Sequence, residues 1–263
     1  VSTPRADAGL LHAVAVIARR AGAVILDVYA RPFGVQHKAD GSPVTEADQR
    51  AEALIVGALE ALTPGLPVVA EEAHAGGTVP AAAAIAARFW LVDPLDGTRE
   101  FAARNGEFTV NIALVEHGAP VLGVVAAPAL GCLYAGVIGA GAWREQGGHH
   151  EPIHARNCPA AGATVALSRS HLNAATEAWL RGRAVASRVG AGSSLKFGLV
   201  AAGEADWYPR LSRTMEWDTA AGHAVLRAAG GEVRTLDGAP LGYGKPGFEN
   251  PHFVAHGAGP CPG

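Results

Sequence analysis

The sequence predicts an α/β (α+β) protein, on three observations. Apolar residues recur at helical spacing near the N-terminus, and a block of apolar strands follows in the middle of the chain. Beyond about residue 157, short strands alternate with helical segments, the pattern of an α/β half. The 263 residues suffice for one large domain or two small ones. A hydrophobic fraction of 49% against 17% charged residues provides for a substantial core. A soft boundary near residue 157 separates residues 1–157, α+β, from residues 158–263, α/β, with no flexible linker between them.

Leu10, Val14, Ile17, Ala21, Val24, Ile25 and Val28 predict an amphipathic helix over residues 6–30, ended by Arg31-Pro32. Residues 38–43 read as a polar loop. Thr45 and Asp48 form a capping arrangement ahead of a second helix, whose apolar face carries Ala51, Leu54, Ile55, Ala58 and Leu59. Thr63-Pro64-Gly65 stops it, and a short strand over residues 67–70 ends on Glu71-Glu72, which taken alone reads as a solvated turn. Residues 74–87 are an Ala/Gly-rich connector. Phe89 to Val92 is a buried strand that stops at Asp93, because Pro94 cannot donate a ladder hydrogen bond. Asp96 or Thr98 is placed to cap a following helix. Residues 108–115 and 121–126 pair as strands around a turn at 116–120, and 133–138 adds a third. His149, His150 and His154 fall in a glycine-flanked segment without a cysteine at ligand spacing, so it reads as a surface loop rather than a zinc site. Strands near 164–167, 184–189 and 205–208 alternate with helices near 173–181, 194–202 and 218–229, the last with Asp218 as its N-cap.

A net charge of −3 offers no basic field for a nucleic-acid polymer. Three scattered cysteines without a C-x-x-C pair argue against a disulfide framework and for a reducing compartment. The apolar stretch from Leu10 to Val28 is broken by His12, Arg19, Arg20 and Asp27, which argues against an integral membrane segment. The expected location is the cytoplasm, or peripherally at the inner membrane. No G-x-S-x-G elbow and no P-loop occurs, so neither serine-nucleophile nor P-loop NTPase chemistry is indicated.

The chemistry concentrates in residues 89–101, Phe-Trp-Leu-Val-Asp-Pro-Leu-Asp-Gly-Thr-Arg-Glu-Phe. Asp93 and Asp96 stand just past a buried strand, where ligand sites of open α/β sheets lie. Two carboxylates held so close repel, and a hard cation relieves the repulsion. The string Trp90 to Phe101 resembles the signature of the lithium-sensitive, magnesium-dependent phosphatases of the inositol monophosphatase superfamily. Residues 104–114, Arg-Asn-Gly-Glu-Phe-Thr-Val-Asn-Ile-Ala-Leu, resemble its branch of CysQ-type 3'(2'),5'-bisphosphate nucleotidases. Trp217-Asp218-Thr219-Ala220-Ala221-Gly222 resembles the superfamily's C-terminal signature.

The resemblance implies a layered αβαβα sandwich and a cluster of two or three Mg²⁺ ions. Its ligands would be Glu71, Asp93, the Leu95 carbonyl, Asp96 and Asp218. Glu71 and Asp93 would hold the first ion, Asp93, Asp96 and Asp218 the second, with a weaker third near Glu71. Thr98, oriented by Asp48, would position the attacking water or accept its proton, and the Gly97 and Thr98 amides would receive phosphate oxygens. The segments around Ser170 and His171, Ser193, Ser194 and Lys196, and Arg210 resemble nucleotidase segments, with Lys196 and Arg210 on the phosphate that is not cleaved. The implied reaction is hydrolysis of the 3'-phosphate of adenosine 3',5'-bisphosphate to AMP, with action on its sulfated relative, by a monomer or homodimer. The alternatives are an inositol or fructose phosphate phosphatase and, in another class, a non-catalytic metal or nucleotide sensor.

Overall fold

A computed structural model describes residues 5–37, 43–78, 87–169 and 173–259. The chain opens with α1 (Ala8–Tyr29), capped by the Asp7 carboxylate on the Leu10 N–H. A two-strand ribbon follows, β1 (Gln36–His37) and β2 (Pro43–Val44), then α2 (Glu46–Leu62), β3 (Val68–Ala70), α3 (Glu71–Ala75), β4 (Arg88–Asp96) and α4 (Thr98–Ala102). Next come β5 (Thr109–Glu116), β6 (Ala119–Ala127), β7 (Cys132–Val137), β8 (Gly141–Gln146) and β9 (His149–Ile153). The remainder is β10 (Ala163–Ser168), α5 (Ala174–Leu180), β11 (Val185–Ala191), α6 (Leu195–Ala201), β12 (Trp207–Arg210), α7 (Glu216–Ala228), β13 (Glu232–Thr235) and β14 (Phe253–His256).

Strands β3 to β9 lie side by side in chain order as a seven-stranded sheet; β3 runs parallel to β4 and the rest are antiparallel. The second sheet has five strands in the order β11-β10-β12-β14-β13. The large sheet is covered on both faces. Trp90, Val92, Ile112, Leu114 and Val124 pack under α1 and α2, while Phe89, Leu91, Ala113, Val115 and Val125 face α7. This two-sided burial is why β4 and β5 read as continuous apolar runs rather than alternating ones. Helices α6 and α7 fill the space between the sheets, and Leu180 of α5 packs on the outer face of the small sheet with Val165, Leu167 and Trp207. The order is αβαβα, as expected.

Two glycines let α7 approach the large sheet. A Cβ at Gly123 would stand 2.2 Å from the Ala221 carbonyl oxygen, and one at Gly136 2.8 Å from the Ala228 Cβ. Helix α1 is long and apolar enough to cross a membrane by length and composition, with a mean hydropathy of 1.6 over its most apolar stretch. In the fold its apolar stripe is buried against α2 and the sheet.

Several local expectations are corrected. Strand β4 runs through Pro94 to Asp96, because a bulge sets the extra residue between Asp93, opposite Asn111, and Asp96, opposite Thr109. Proline is tolerated at such an irregularity. Glu71 and Glu72 open a short helix rather than a turn. The 116–120 turn contracts to His117-Gly118, both at positive φ, the twist a two-residue hairpin requires. The histidine segment is not a loop but the β8–β9 hairpin, turning at Gly147-Gly148, with the His150 ring 4.4 Å from Trp143. The β12 strand lies two residues later than expected. The cap of α4 is Gly97, not Asp96 or Thr98, and α7 begins at Glu216 with Met215 as its N-cap, so Asp218 is the third helical residue. Most of the 38–43 loop lies outside the described residues.

Candidate active site

A cavity of about 540 Å³ opens where the end of β4, the start of α4, α3, the β11–α6 connection and the N-terminus of α7 converge. Glu71, Asp96 and Asp218 line it. Each acid is set by its backbone. Glu52 of α2 accepts from the Glu72 and Ala73 N–H groups at 2.7 and 2.8 Å, which fixes the first turn of α3 and thereby Glu71. The bulge places Asp93 below the cavity floor, 1% exposed, with Oδ1 accepting from the Leu95 N–H at 3.0 Å. Asp218 Oδ2 accepts from the Met215 N–H at 2.8 Å.

The acids act on one another. Burial pushes the Asp93 carboxyl well above the usual carboxylate range, and the charges of Glu71, Asp96, Asp218 and Asp48 push it further. Burial, with Asp96 and Glu71, does the same to Asp218. Asp96 is also raised by burial, against the opposing pull of Lys196 and the Ser194 hydrogen bond. An all-oxygen set that repels itself in this way fits a hard divalent cation. Among the described residues no three acid, imidazole or thiol groups stand around one point as a finished coordination sphere. The carboxylates share a field, with one oxygen of Asp93 and one of Asp218 already held by backbone.

Asp48 has both roles read from the sequence. Its Oδ2 accepts from the Thr45 N–H and hydroxyl, both at 2.7 Å, closing a capping box on α2. Its Oδ1 stands 3.3 Å from the Thr98 hydroxyl, which is also 3.3 Å from the Leu95 carbonyl oxygen. Gly97, at φ 90°, turns the chain between Asp96 and Thr98. A Cβ there would meet the Ser193 Oγ at 2.2 Å, so the turn and the close approach both require glycine.

Cations line the same cavity, within electrostatic reach of Asp96 and Asp218. Lys196 and Arg210 line the cavity, together with Arg99 and Arg213. The Lys196 ammonium is buried and donates to the carbonyls of Ala191 at 3.1 Å and Ser193 at 2.5 Å; burial lowers its pKa to about 8. Arg210 donates to the Arg213 carbonyl at 3.3 Å, while its buried Nε has no partner among the described residues. Ser193 Oγ donates within reach of the Asp96 and Glu107 carbonyls, at 2.8 and 2.9 Å, and Ser194 is buried beneath it. Of the expected site residues, Glu71, Asp96, Gly97, Thr98, Ser193, Ser194, Lys196, Arg210 and Asp218 line the cavity; Asp48, Asp93 and Leu95 stand behind it. Ser170 and His171 lie outside the described residues.

Sequence reasoning missed His74, which lines the cavity with its ring 5.0 Å from Trp217. Its signal was the spacing from Glu71, three residues on one short helix, hidden because the segment was read as connector. Asn111 was also missed as a site residue: it was read only as part of the 104–114 string, with no role of its own.

Fold and site together define a phosphatase-type α/β sandwich, and the chain belongs to the inositol monophosphatase family, whose sequence profile matches residues 8–257. Within it, the chain is 47% identical to the 3'(2'),5'-bisphosphate nucleotidase CysQ of Escherichia coli O157:H7 over 93% of this chain and 98% of the relative. It is 46% identical, at the same coverage, to that of Salmonella typhimurium. Among solved structures, CysQ from Bacteroides thetaiotaomicron superposes with a TM-score of 0.82 at 38% identity, covering 96% of this chain and 98% of that one. The inositol monophosphatase from Anabaena superposes at 0.74 and 26% identity, covering 95% and 91%.

Proposed function

We propose that this protein is a Mg²⁺-dependent 3'(2'),5'-bisphosphate nucleotidase that removes the 3'-phosphate of adenosine 3',5'-bisphosphate, and acts on its sulfated relative, in the cytoplasm. The observation that carries this reading is one cavity lined both by acids, Glu71, Asp96 and Asp218, and by cations, Lys196 and Arg210. The first suits a metal-bound phosphate under attack, and the second suits an anion that stays. The names of the relatives most similar in sequence support the nucleotide over an inositol or fructose phosphate.

Glu71, Asp93, Asp96, Asp218 and the Leu95 carbonyl are the groups that would hold Mg²⁺. Bound there, the ions supply Lewis-acid neutralisation of the phosphate and a lowered pKa for water. The Thr98 hydroxyl, held between Asp48 Oδ1 and the Leu95 carbonyl, would position the attacking water, or accept its proton while passing its own to Asp48 Oδ1. A bond forms between the water oxygen and phosphorus as the bond to the ribose 3'-oxygen breaks; the water's proton is drawn off towards Asp48, and the ribose oxygen takes a proton from solvent, leaving AMP and phosphate. Arg210 receives the 5'-phosphate, its fork suited to bidentate contact.

The test is phosphate release at fixed Mg²⁺ and salt from adenosine 3',5'-bisphosphate, inositol phosphate and fructose bisphosphate, with wild-type and Arg210→Ala protein. The wild type should prefer the bisphosphate nucleotide. Arg210→Ala should lose about 10–150-fold in kcat/KM on it, the value of one charge-assisted hydrogen bond. It should lose much less on a small monophosphate. A wild-type preference for inositol phosphate sinks the nucleotidase reading, and an equal loss on both substrates returns Arg210 to a structural role. Absence of phosphate release from all three would leave the non-catalytic sensor.

A further inference from the structure

Asn111 lies in the interior of β5, directly opposite Asp93 and 1% exposed. An amide there is costly unless it is hydrogen-bonded, and an apolar residue would pack at lower cost. Among the described residues the Asn111 side chain makes one hydrogen bond, Nδ2 to the Ser194 Oγ at 3.0 Å, while its Oδ1 has no partner. Its polar function therefore points one way, at Ser194.

Ser194 is 2% exposed, and its Oγ stands 2.6 Å from the Asp218 carbonyl oxygen and 3.1 Å from Asp96 Oδ2. An amide N–H₂ can only donate, so the serine oxygen must accept from Asn111. That directs its single proton towards the Asp96 and Asp218 side. The hydroxyl thus touches two of the three chain segments that carry acids of the site, the end of β4 and the first turns of α7. Sequence alone placed Ser194 among the substrate contacts, but its hydroxyl is already engaged by three protein groups.

We infer that Asn111 and Ser194 are positioning residues that tie the Asp96 carboxylate to the α7 segment bearing Asp218 and so set the separation of these two acids for a divalent cation. The inference rests on the metal-dependent reading above. Hydrogen-bond partners behind metal ligands typically matter about 10–100-fold in metal affinity, which sets the scale of the expected effect.

The test is calorimetric titration of metal-free protein with Mg²⁺, without substrate, on wild type, Ser194→Ala, Asn111→Leu and the double variant, each checked for folding by circular dichroism. Each single variant should bind Mg²⁺ about 10–100-fold more weakly. The double variant should be little worse than the weaker single one, because both substitutions break the same chain of contacts. At saturating Mg²⁺ the KM of Asn111→Leu for the bisphosphate should be unchanged, since Asn111 does not line the cavity. Unchanged Mg²⁺ affinity in the folded variants, additive losses, or a raised KM of Asn111→Leu at saturating Mg²⁺ would each overturn the inference. Should Asn111→Leu not fold, Ser194→Ala, which removes one oxygen, decides alone. Wild-type protein that takes up no Mg²⁺ overturns the metal-dependent reading and this inference with it. Wild type that binds, with variants that bind equally, overturns only the inference.

Discussion

Asp48 caps a helix with one oxygen and orients Thr98 with the other. Thr98→Ala should therefore lower kcat by about 10²–10⁴-fold, the usual value of a positioned acid–base group. It should raise KM much less, because the contact matters most in the transition state. Asp48→Asn should lower both kcat and thermal stability; intact kcat with a small stability loss would leave Asp48 as a cap alone. Asp93 makes a second test at this scale. Its folded carboxyl is raised well above the ordinary value of 3.8, as is that of Asp218. The metal-free folded state then holds more protons than the unfolded state, so the stability these groups contribute is complete below their unfolded pKa. It is lost as pH rises through their higher folded values. The Tm of metal-free protein should fall as pH rises above the ordinary carboxylate range, and Mg²⁺ should raise Tm more at the upper end. Asp93→Asn should flatten that fall and abolish phosphate release while the protein stays folded. A flat wild-type profile, read by differential scanning fluorimetry with and without Mg²⁺, would contradict the mutual repulsion of the acids.

At the scale of elements, the site depends on how closely α7 lies on the large sheet. Gly123→Ala drives a Cβ to within 2.2 Å of the Ala221 carbonyl, where backbone must move. Such overpacking typically costs about 1–3 kcal/mol. Denaturant midpoints should show that loss, and kcat should drop as Asp218 moves with α7. A wild-type midpoint would mean that the helix sits farther from β6. The long helices α1 and α2 were legible because their apolar residues repeat with the helical period, and α2 also carries its cap, Thr45, which accepts a backbone N–H. The β8–β9 hairpin was not. It is a half-exposed edge whose Trp143, Arg144, His149 and His150 show no apolar alternation, and only Gly147-Gly148 marked the turn. Strands β13 and β14, four residues each, were also unread.

At the scale of the whole molecule, one cavity gathers Glu71, Asp96, Lys196, Arg210 and Asp218 from three separate stretches of the chain. Li⁺ resembles Mg²⁺ in size with half the charge, so in the Asp93, Asp96 and Asp218 site it would hold product while stabilising the leaving oxygen poorly. Phosphate release should fall with added Li⁺ at submillimolar to millimolar concentration, against a Na⁺ control at equal ionic strength. Indifference to Li⁺ would count against that ligand assignment.

The sequence by itself determined the class of fold, the main helices and the acidic residues, because periodicity, caps and short motifs are local properties of the chain. It also marked Asp48 and Thr98 as partners through resemblance. Only the tertiary structure decided that Pro94 sits inside a bulged strand, that Asp218 is the third residue of its helix, and that Lys196 turns its ammonium onto two backbone carbonyls. It alone brought Asn111 under Ser194, a contact between residues 83 positions apart. The physical reason is the same in each case. A strand's bulge, a buried ammonium and a buried amide are settled by the partners that satisfy their polar groups, and those partners come from elsewhere in the chain.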